Sequence, residues 1–460
     1  MESISLLPVL AAAVCLLLAS PLAAQMQPMP GMDQPQPQTQ SAPPKNTTQN
    51  MPGMDMSSGS QMSAMKQLMD QMHPATFLQE IQHHATSGTS AEPNSTPAPM
   101  AMSMHGAWML MLHGVAFVAD TQQSGPRGAA KLFSTNWLMP MAERELGPGQ
   151  ITLRAMFSLE PATISGRQYP LLFQQGETAF GKAIADGQHP HNLFMEIAAL
   201  YDWRLAPRTL LSFYAAPVGD PALGPTAYPH RASAAENPVA ALGHHQMDST
   251  HIADDVVTLG VTHGIVRVEA SGFHGREPNE SRWGIQQSAI DSWSMRLTLQ
   301  PGQNWSGQYS YGRIRSPEAL FPAQDQTRMT ASAMYNQANW ASTIAWGRTR
   351  DSDGGIENSY LLESTLHFAL KNAVWTRIEN AGRSNELALG ELVLPANFTE
   401  SALTHVQAYT LGYDRDVLMT AHMAAALGSQ MTVYGVGAPL QPIYGQHPFG
   451  AVIFLRLRAL

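Results

Sequence analysis

Ile151-Thr-Leu-Arg-Ala-Met-Phe-Ser-Leu159 places an apolar residue at every odd position, with Thr152, Arg154 and Ser158 between them. Successive side chains of a strand point to opposite faces, so the stretch has one uncharged face and one polar face. Leu193, Met195, Ile197, Ala199, Tyr201 and Trp203 repeat the pattern against Glu196, Asp202 and Arg204, as do Trp293, Met295, Leu297 and Leu299 against Arg296. Period two with one clean face suits a barrel strand in a membrane, where a charge facing lipid costs roughly 2–4 kcal/mol at the midplane. A soluble sandwich predicts the same alternation, so single strands leave the choice open.

The connections discriminate. Segments of this kind recur from 106–119 to 447–458. Tight links fall at Ala206-Pro207, His263-Gly264, Pro301-Gly302, Gln337-Ala338 and Leu370-Lys371. Long ones fall at 120–130, 161–191, 217–253, 276–289, 314–326, 382–402 and 428–446. Short and long links alternate, as periplasmic turns and external loops do in outer-membrane barrels and as Greek-key connections do not. The expected fold is all-β, an antiparallel transmembrane barrel of about 16 strands (roughly 14–18) with both termini on the turn side. One hairpin is expected from strands 403–414 and 417–427, turning at Arg415-Asp416. Tyr201, Trp203, Trp293, Trp305 and Tyr309 fit interfacial girdles. In the last strand Ile453, Leu455 and Leu457 face outward and Arg456 and Arg458 inward. That strand resembles the terminal assembly signal of outer-membrane proteins, although it ends in Leu460 where they end in an aromatic residue. Outer-membrane lipid and the outer-membrane assembly machinery are then the expected partners.

Composition agrees. Of 460 residues only 13% are charged, against ~25% in soluble domains. A net charge of -9 leaves no basic surplus for nucleic acid. No apolar run beyond the leader reaches the ~18 residues of a spanning helix. The leader itself, Leu6 to Leu18 followed by Ser20-Pro-Leu-Ala-Ala24, reads as a signal peptide over residues 1–24, though its only early charge is Glu2. The single cysteine, Cys15, lies inside it. An exported chain without cysteine has no disulfides, Cys-bound zinc, iron–sulfur cluster or Cys nucleophile.

Residues 25–104 differ from the rest. They are rich in Met, Pro, Gln, Ser and Thr and read as a mostly disordered periplasmic segment before a barrel over 105–460. Only Ser63 to His84 could be helical, with Met65, Leu68, Met69 and Met72 on one face. Met29-Pro-Gly-Met-Asp33 recurs as Met51-Pro-Gly-Met-Asp55, with Met56 directly after. Thioethers are soft, uncharged ligands that favour Cu(I). Met29, Met32, Met51, Met54 and Met56, with His73, His83 and His84, are therefore candidate copper ligands; biased linker composition is the competing reading. The wording resembles the Met-rich segments of bacterial copper-resistance proteins. That resemblance implies copper as the bound ion and periplasmic copper-handling proteins as partners, and no other cofactor is expected.

A second set of candidates lies in two long loops. His189 and His191 close Asp186-Gly-Gln-His-Pro-His191, and His244, His245 and His251 follow in the next loop with Met247 and Asp248. They could assemble a metal site, or pack as polar loop residues; their spacing favours neither. The expected lumen carries Arg154, Glu196, Asp202, Arg204, Arg267, Glu269, Arg296, Arg377, Glu379, Arg456 and Arg458. Mixed charge inside a barrel lines an aqueous path or forms ion pairs that plug it, and the arginine excess tilts any pore towards anions. Asp248-Ser-Thr-His251 holds residue types for Ser/His chemistry but no nucleophile elbow, so no enzyme is expected.

Asn94-Ser-Thr-Pro-Ala-Pro-Met100, Ser124-Gly-Pro-Arg-Gly128, Gly176-Glu-Thr-Ala-Phe-Gly181 and Pro225-Thr-Ala-Tyr-Pro-His230 together resemble a family of Gram-negative outer-membrane proteins. The resemblance implies a barrel and an outer-membrane location, with no activity attached. The resulting expectation is an outer-membrane barrel in copper or metal binding, transport or resistance. The alternatives are a general porin or structural barrel with an inert linker, and a barrel hydrolase.

Overall fold

The computed structural model describes residues 76–83, 86–97, 99–248, 253–390, 392–395, 398–420 and 422–459. A short strand, β1 (Ala101–His105), turns into β2 (Trp108–Gln123), followed by β3 (Ala130–Leu146) and β4 (Gly149–Phe157). Two strands, β5 (Tyr169–Ala179) and β6 (Lys182–Gln188), pair only with each other. The wall resumes with β7 (Phe194–Ala206), β8 (Thr209–Val218), β9 (Ala253–His263), β10 (Val266–Gly275), β11 (Ser292–Gly302) and β12 (Trp305–Ile314). It continues through β13 (Gln326–Gln337), β14 (Trp340–Asp351), β15 (Ile356–Phe368), β16 (Asn372–Ser384), β17 (Ala402–Met419), β18 (Met423–Val436) and β19 (Phe449–Ala459). β19 pairs back onto β2, with Phe454 opposite Ala119 and Leu457 opposite Ala116. The result is a closed antiparallel barrel of 16 strands. β1 lies on the same edge of β2 below the end of β19, with Ala101 opposite Leu112.

The alternation read from the sequence is the two-sidedness of this wall. On β9, Val257, Leu259 and Val261 are exposed while Thr258 and Thr262 are buried. Val268 on β10 and Met295, Leu297 and Leu299 on β11 extend the outward apolar belt. Trp203 and Trp305 stand outward near the tight turns and Trp293 near the long loops. A continuous belt of this size needs lipid around it. Among the described residues no helix is long and apolar enough to cross a membrane, so any crossing is made by strands. Leu259, mid-strand and 49% exposed, gives a direct test. Leu259→Arg should lower unfolding stability in lipid vesicles by roughly 2–4 kcal/mol, and Leu205→Arg beside the β7–β8 turn by only about 0–1. Equal costs in urea titrations would place the belt outside a bilayer.

The expected hairpin near residue 415 is corrected. β17 runs unbroken through Asp414-Arg-Asp416 to Met419, and β18 starts at Met423. The two acids are inward residues of a continuous strand, paired with Arg456.

Among the described residues three segments fill the lumen, all of them expected as tail or loop. Residues 86–97 enter it although the barrel was expected to begin at residue 105: Ser87 to Glu92 are buried, and Arg296 Nη2 donates to Thr89 Oγ1 at 2.8 Å. Ser306 Oγ donates to the Ala91 carbonyl at 2.8 Å, and Ser95 Oγ to that of Asn336 at 2.7 Å. Before them, helix α1 (Phe77–His83) sets Leu78 and Ile81 against Leu210. The β5–β6 hairpin is the second segment. Its Leu171, Leu172 and Phe173 pack on the inward aromatics Phe117, Trp375, Tyr434 and Phe454. The third is the β8–β9 loop, whose buried Ala222, Leu223, Val239 and Leu242 have no reason to face water. A 16-stranded wall alone would leave an aqueous bore. Here apolar and polar plug residues occupy it.

Candidate functional site

The inward charges of the wall are the plug's anchors. Arg154 Nη2 bonds Glu196 at 2.7 Å and also the Gly88 carbonyl of the first plug segment. Glu269 bridges Arg267 at 3.1 Å and Arg296 at 3.0 Å. Arg377 holds Glu363 at 3.1 Å and the Val239 carbonyl at 2.9 Å. Glu379 accepts the Leu242 N–H at 2.5 Å. Arg456 pairs with Asp414 at 2.7 Å and with Glu236 of the β8–β9 loop, and Arg458 also reaches Glu236, at 3.0 Å. Asp202 accepts from Gln82 of α1 at 3.0 Å. Arg204 is the exception: it shares the inward face but, at the turn end of β7, is exposed. The expected tilt towards anions is also corrected. Glu363, Asp414 and Asp416 of the wall, with Glu236 of the plug, pair with Arg377, Arg456 and Arg458, which the sequence left without acids.

Two of the predicted histidine loops do converge. His189 follows directly after β6, and His244 and His245 open a single turn of helix, α3 (His244–Met247), after an α2 turn (Glu160–Thr163) earlier in the chain. One ring nitrogen from each of His189, His244 and His245 lies within 4.8 Å of the other two. His189 Nε2 stands 3.1 Å from His245 Nε2 and 3.2 Å from Glu177 Oε1. For bonds of 2.0–2.1 Å in a tetrahedral shell, ligand atoms sit about 3.3 Å apart. The outer contacts suit that use. His189 Nδ1 lies 3.1 Å from the Pro190 carbonyl and His244 Nδ1 2.9 Å from that of Ala241. An Nδ1–H donated to a backbone carbonyl leaves Nε2 as the ligand lone pair, the arrangement usual for metal-bound histidine. His189 Nε2 and His245 Nε2, 3.1 Å apart, share either a proton or a cation.

Local geometry serves this approach. Gly176, at φ +89, passes so close that a Cβ there would meet His245 Nδ1 at 2.5 Å. Glu177 follows at φ +106, a strained conformation for a residue with a side chain, of the kind that collects at functional sites. Its second oxygen is held by Arg282 from the β10–β11 loop. Neither Glu177 nor Arg282 was foreseen; the Gly-Glu step inside a long loop was their only trace. On the loop side, His245 borders a cavity lined by Glu277, Glu318, Glu386 and Glu400. Burial and then mutual repulsion push Glu277 and Glu386 up to about 8.

The remaining predicted ligands part company. His191 Nδ1 binds Glu160 at 2.9 Å and its Nε2 faces the Tyr228 hydroxyl at 3.3 Å. Burial favours the neutral ring, but the Glu160 carboxylate outweighs it and holds His191 above its ordinary value. It is a structural ion-pair partner and not a member of the trio. Met247 packs with Ala241, Ala345 and Leu361, and Asp248 holds Arg231 at 3.2 Å. His83 ends α1. Met29, Met32, Met51, Met54, Met56, His73, His84, Ser249 and His251 lie outside the described residues.

Fold and site define a plugged β-barrel with an internal imidazole cluster. No family model matches the sequence, and no curated protein does. Among solved structures the chain is similar to an anion-selective porin from Comamonas acidovorans, at 12% identity and a TM-score of 0.47 over 76% of this chain and 99% of that one. It is also similar to OmpF of Salmonella typhi in complex with daunomycin, at 8% identity and a TM-score of 0.48 over 77% and 100% of the two chains. OprB of Pseudomonas putida is another, at 8% identity and a TM-score of 0.45 over 77% and 94%.

Proposed function

We propose that this chain is an outer-membrane protein of a Gram-negative cell that binds a transition-metal cation inside its barrel, in metal uptake or resistance. The observation that carries the reading is the convergence of His189, His244 and His245 from two loops onto one point. Imidazole nitrogens beside one carboxylate suit copper, zinc or nickel in the divalent state. The Met-rich segment before the barrel would capture copper on the periplasmic side through Met29, Met32, Met51, Met54 and Met56, after cleavage of the signal peptide. A general porin is the weaker reading, because the plug occupies the bore that a diffusing solute would need.

The test is calorimetric titration of the full chain in detergent with Cu(II) and Zn(II) against a competing chelator. His189→Ala/His245→Ala should lose one tight equivalent, weakening it by more than about 100-fold, since even outer partners of a metal are worth roughly 10–100-fold. Binding elsewhere on the chain is common to both proteins and cancels. Retention of that equivalent in the double variant would remove the trio as a metal centre.

A further inference from the structure

His113 and Met139 are direct cross-strand partners on the inward faces of β2 and β3. His113 Nε2 lies 3.1 Å from Met139 Sδ. From the β8–β9 loop His230 reaches the same place, and its Nε2 lies 3.2 Å from Met156 Sδ on β4. The two imidazoles have ring centroids 5.7 Å apart, and the Trp137 ring stands 4.9 Å from one and 4.7 Å from the other. Met139 is 1% exposed and Met156 4%. Three wall strands and the plug thus bring two imidazoles and two thioethers together around one indole.

As ordinary packing this is a poor arrangement. A thioether is a weak acceptor, and buried imidazole N–H groups normally find a carbonyl, a carboxylate or water. Here both histidines turn a ring nitrogen to sulfur. As ligands the same atoms are well placed. An ion with N and S bonds of about 2.0 and about 2.3 Å at the tetrahedral angle sets nitrogen and sulfur roughly 3.5 Å apart, so the two N···S pairs need open by only about 0.3–0.4 Å.

We propose that His113, His230, Met139 and Met156 form a soft-cation site for copper(I), separate from the histidine trio. Every ligand is neutral, so the buried charge is only that of the ion, which favours a monovalent cation over a divalent one. Thioethers select Cu(I) over zinc, nickel and the harder ions. Access is built in as well. A cavity of about 200 Å³, bordered by Met100, Trp137, Met139, Met141 and His230, reaches the tight-turn end of the barrel beside Ala338 and Asn339. Met141 stands opposite Met111 in the β2–β3 register, which continues the thioether row towards that end. His230 borders a second cavity that reaches His189 and His244, so the soft site lies between the turn-side cavity and the trio.

The experiment is Cu(I) titration of the full chain in detergent, with ascorbate present and a bathocuproine chelator as competitor, read by chelator absorbance and by Trp fluorescence. Met139→Leu/Met156→Leu nearly conserves volume, and such swaps usually cost less than about 1.5 kcal/mol each, so the barrel survives. It should lose one Cu(I) equivalent, by more than about 100-fold in affinity, and its share of the fluorescence quenching, while Zn(II) binding is unchanged. His189→Ala/His245→Ala should keep that equivalent, which separates failure of the trio from failure of this site. An unchanged number of Cu(I) equivalents in the Leu variant would overturn the proposal, as would an equal loss of Zn(II).

Discussion

Excising residues 221–247 and joining 220 to 248 with a short Gly-Ser linker should turn a closed barrel into a conducting one. In planar bilayers the intact protein should give no resolvable single-channel steps, and the deletion should give discrete ones. The loop supplies Arg231, Glu236 and the apolar run Val239 to Leu242, all buried against the wall. Without them water enters along β13–β18, and a wall of 16 strands is wide enough to hold it. The deletion should also cost little stability, which is less obvious. It orphans Glu363, Arg377, Glu379 and Arg456 from their plug partners, but it admits the solvent that hydrates them. A charge is costly when it loses its partner and stays dry, and here it stays wet. Unchanged conductance in the deletion variant would mean that residues 86–97 and the β5–β6 hairpin alone seal the bore.

The barrel was legible in the sequence because lipid imposes a rule on every second residue. Leu259 and Ile453 face outward whatever fills the interior, so the pattern survives without knowledge of any contact. The tight turns were legible for a related reason, since Gly264 and Ala338 sit at positive φ between two clean alternations. The plug obeys no period. Tyr169-Pro-Leu-Leu-Phe173 is an apolar run in a loop expected to face water, and that contradiction was its only signal. Arg231 and Glu236 were invisible for the opposite reason: their partners lie on strands 130 or more residues away. The histidine trio falls between these cases. The sequence showed loops rich in imidazole, but the choice of His189 over His191 depends on Glu160, which claims His191 from the far side of β5 and β6. The grouping of His113 with His230 left no trace in the sequence, because His113, Met139 and Met156 each fit the lumen face of their own strand and His230 lies in the β8–β9 loop.

Glu363→Ala should be the most damaging single substitution in the barrel, lowering unfolding stability by about 3–5 kcal/mol. Glu363 Oε1 takes Arg231 Nε of the plug at 2.6 Å and its Oε2 takes Arg377 Nε of the wall at 3.1 Å. All three side chains are buried. Alanine leaves two guanidinium groups in a space the plug still closes, which is the dry case that the loop deletion avoids. Arg377 then keeps only the Val239 carbonyl, and Arg231 must rely on Asp248 and the Thr226 carbonyl. Replacing the whole set, as Arg231→Met/Glu363→Leu/Arg377→Met, should be far milder, because buried ion sets exchanged for apolar residues of similar volume are often neutral. The triple variant leaves Asp248 without Arg231 but with the Tyr228 N–H at 3.0 Å. Burial already raises that carboxyl to about 6 from 3.8, so the folded form holds a proton that the unfolded chain releases earlier. Loss of Arg231 raises that carboxyl further, so stability of the triple variant should be greatest in acid and fall as pH rises from the unfolded value of 3.8 through a folded value above about 6, whereas a surface carboxylate would show no such slope. Heat-modifiable gel migration and urea titration in detergent, repeated between pH 5 and pH 8, read both effects. If Glu363→Ala lies within about 1 kcal/mol of the parent, the charges between plug and wall are hydrated and the plug is not anchored by them.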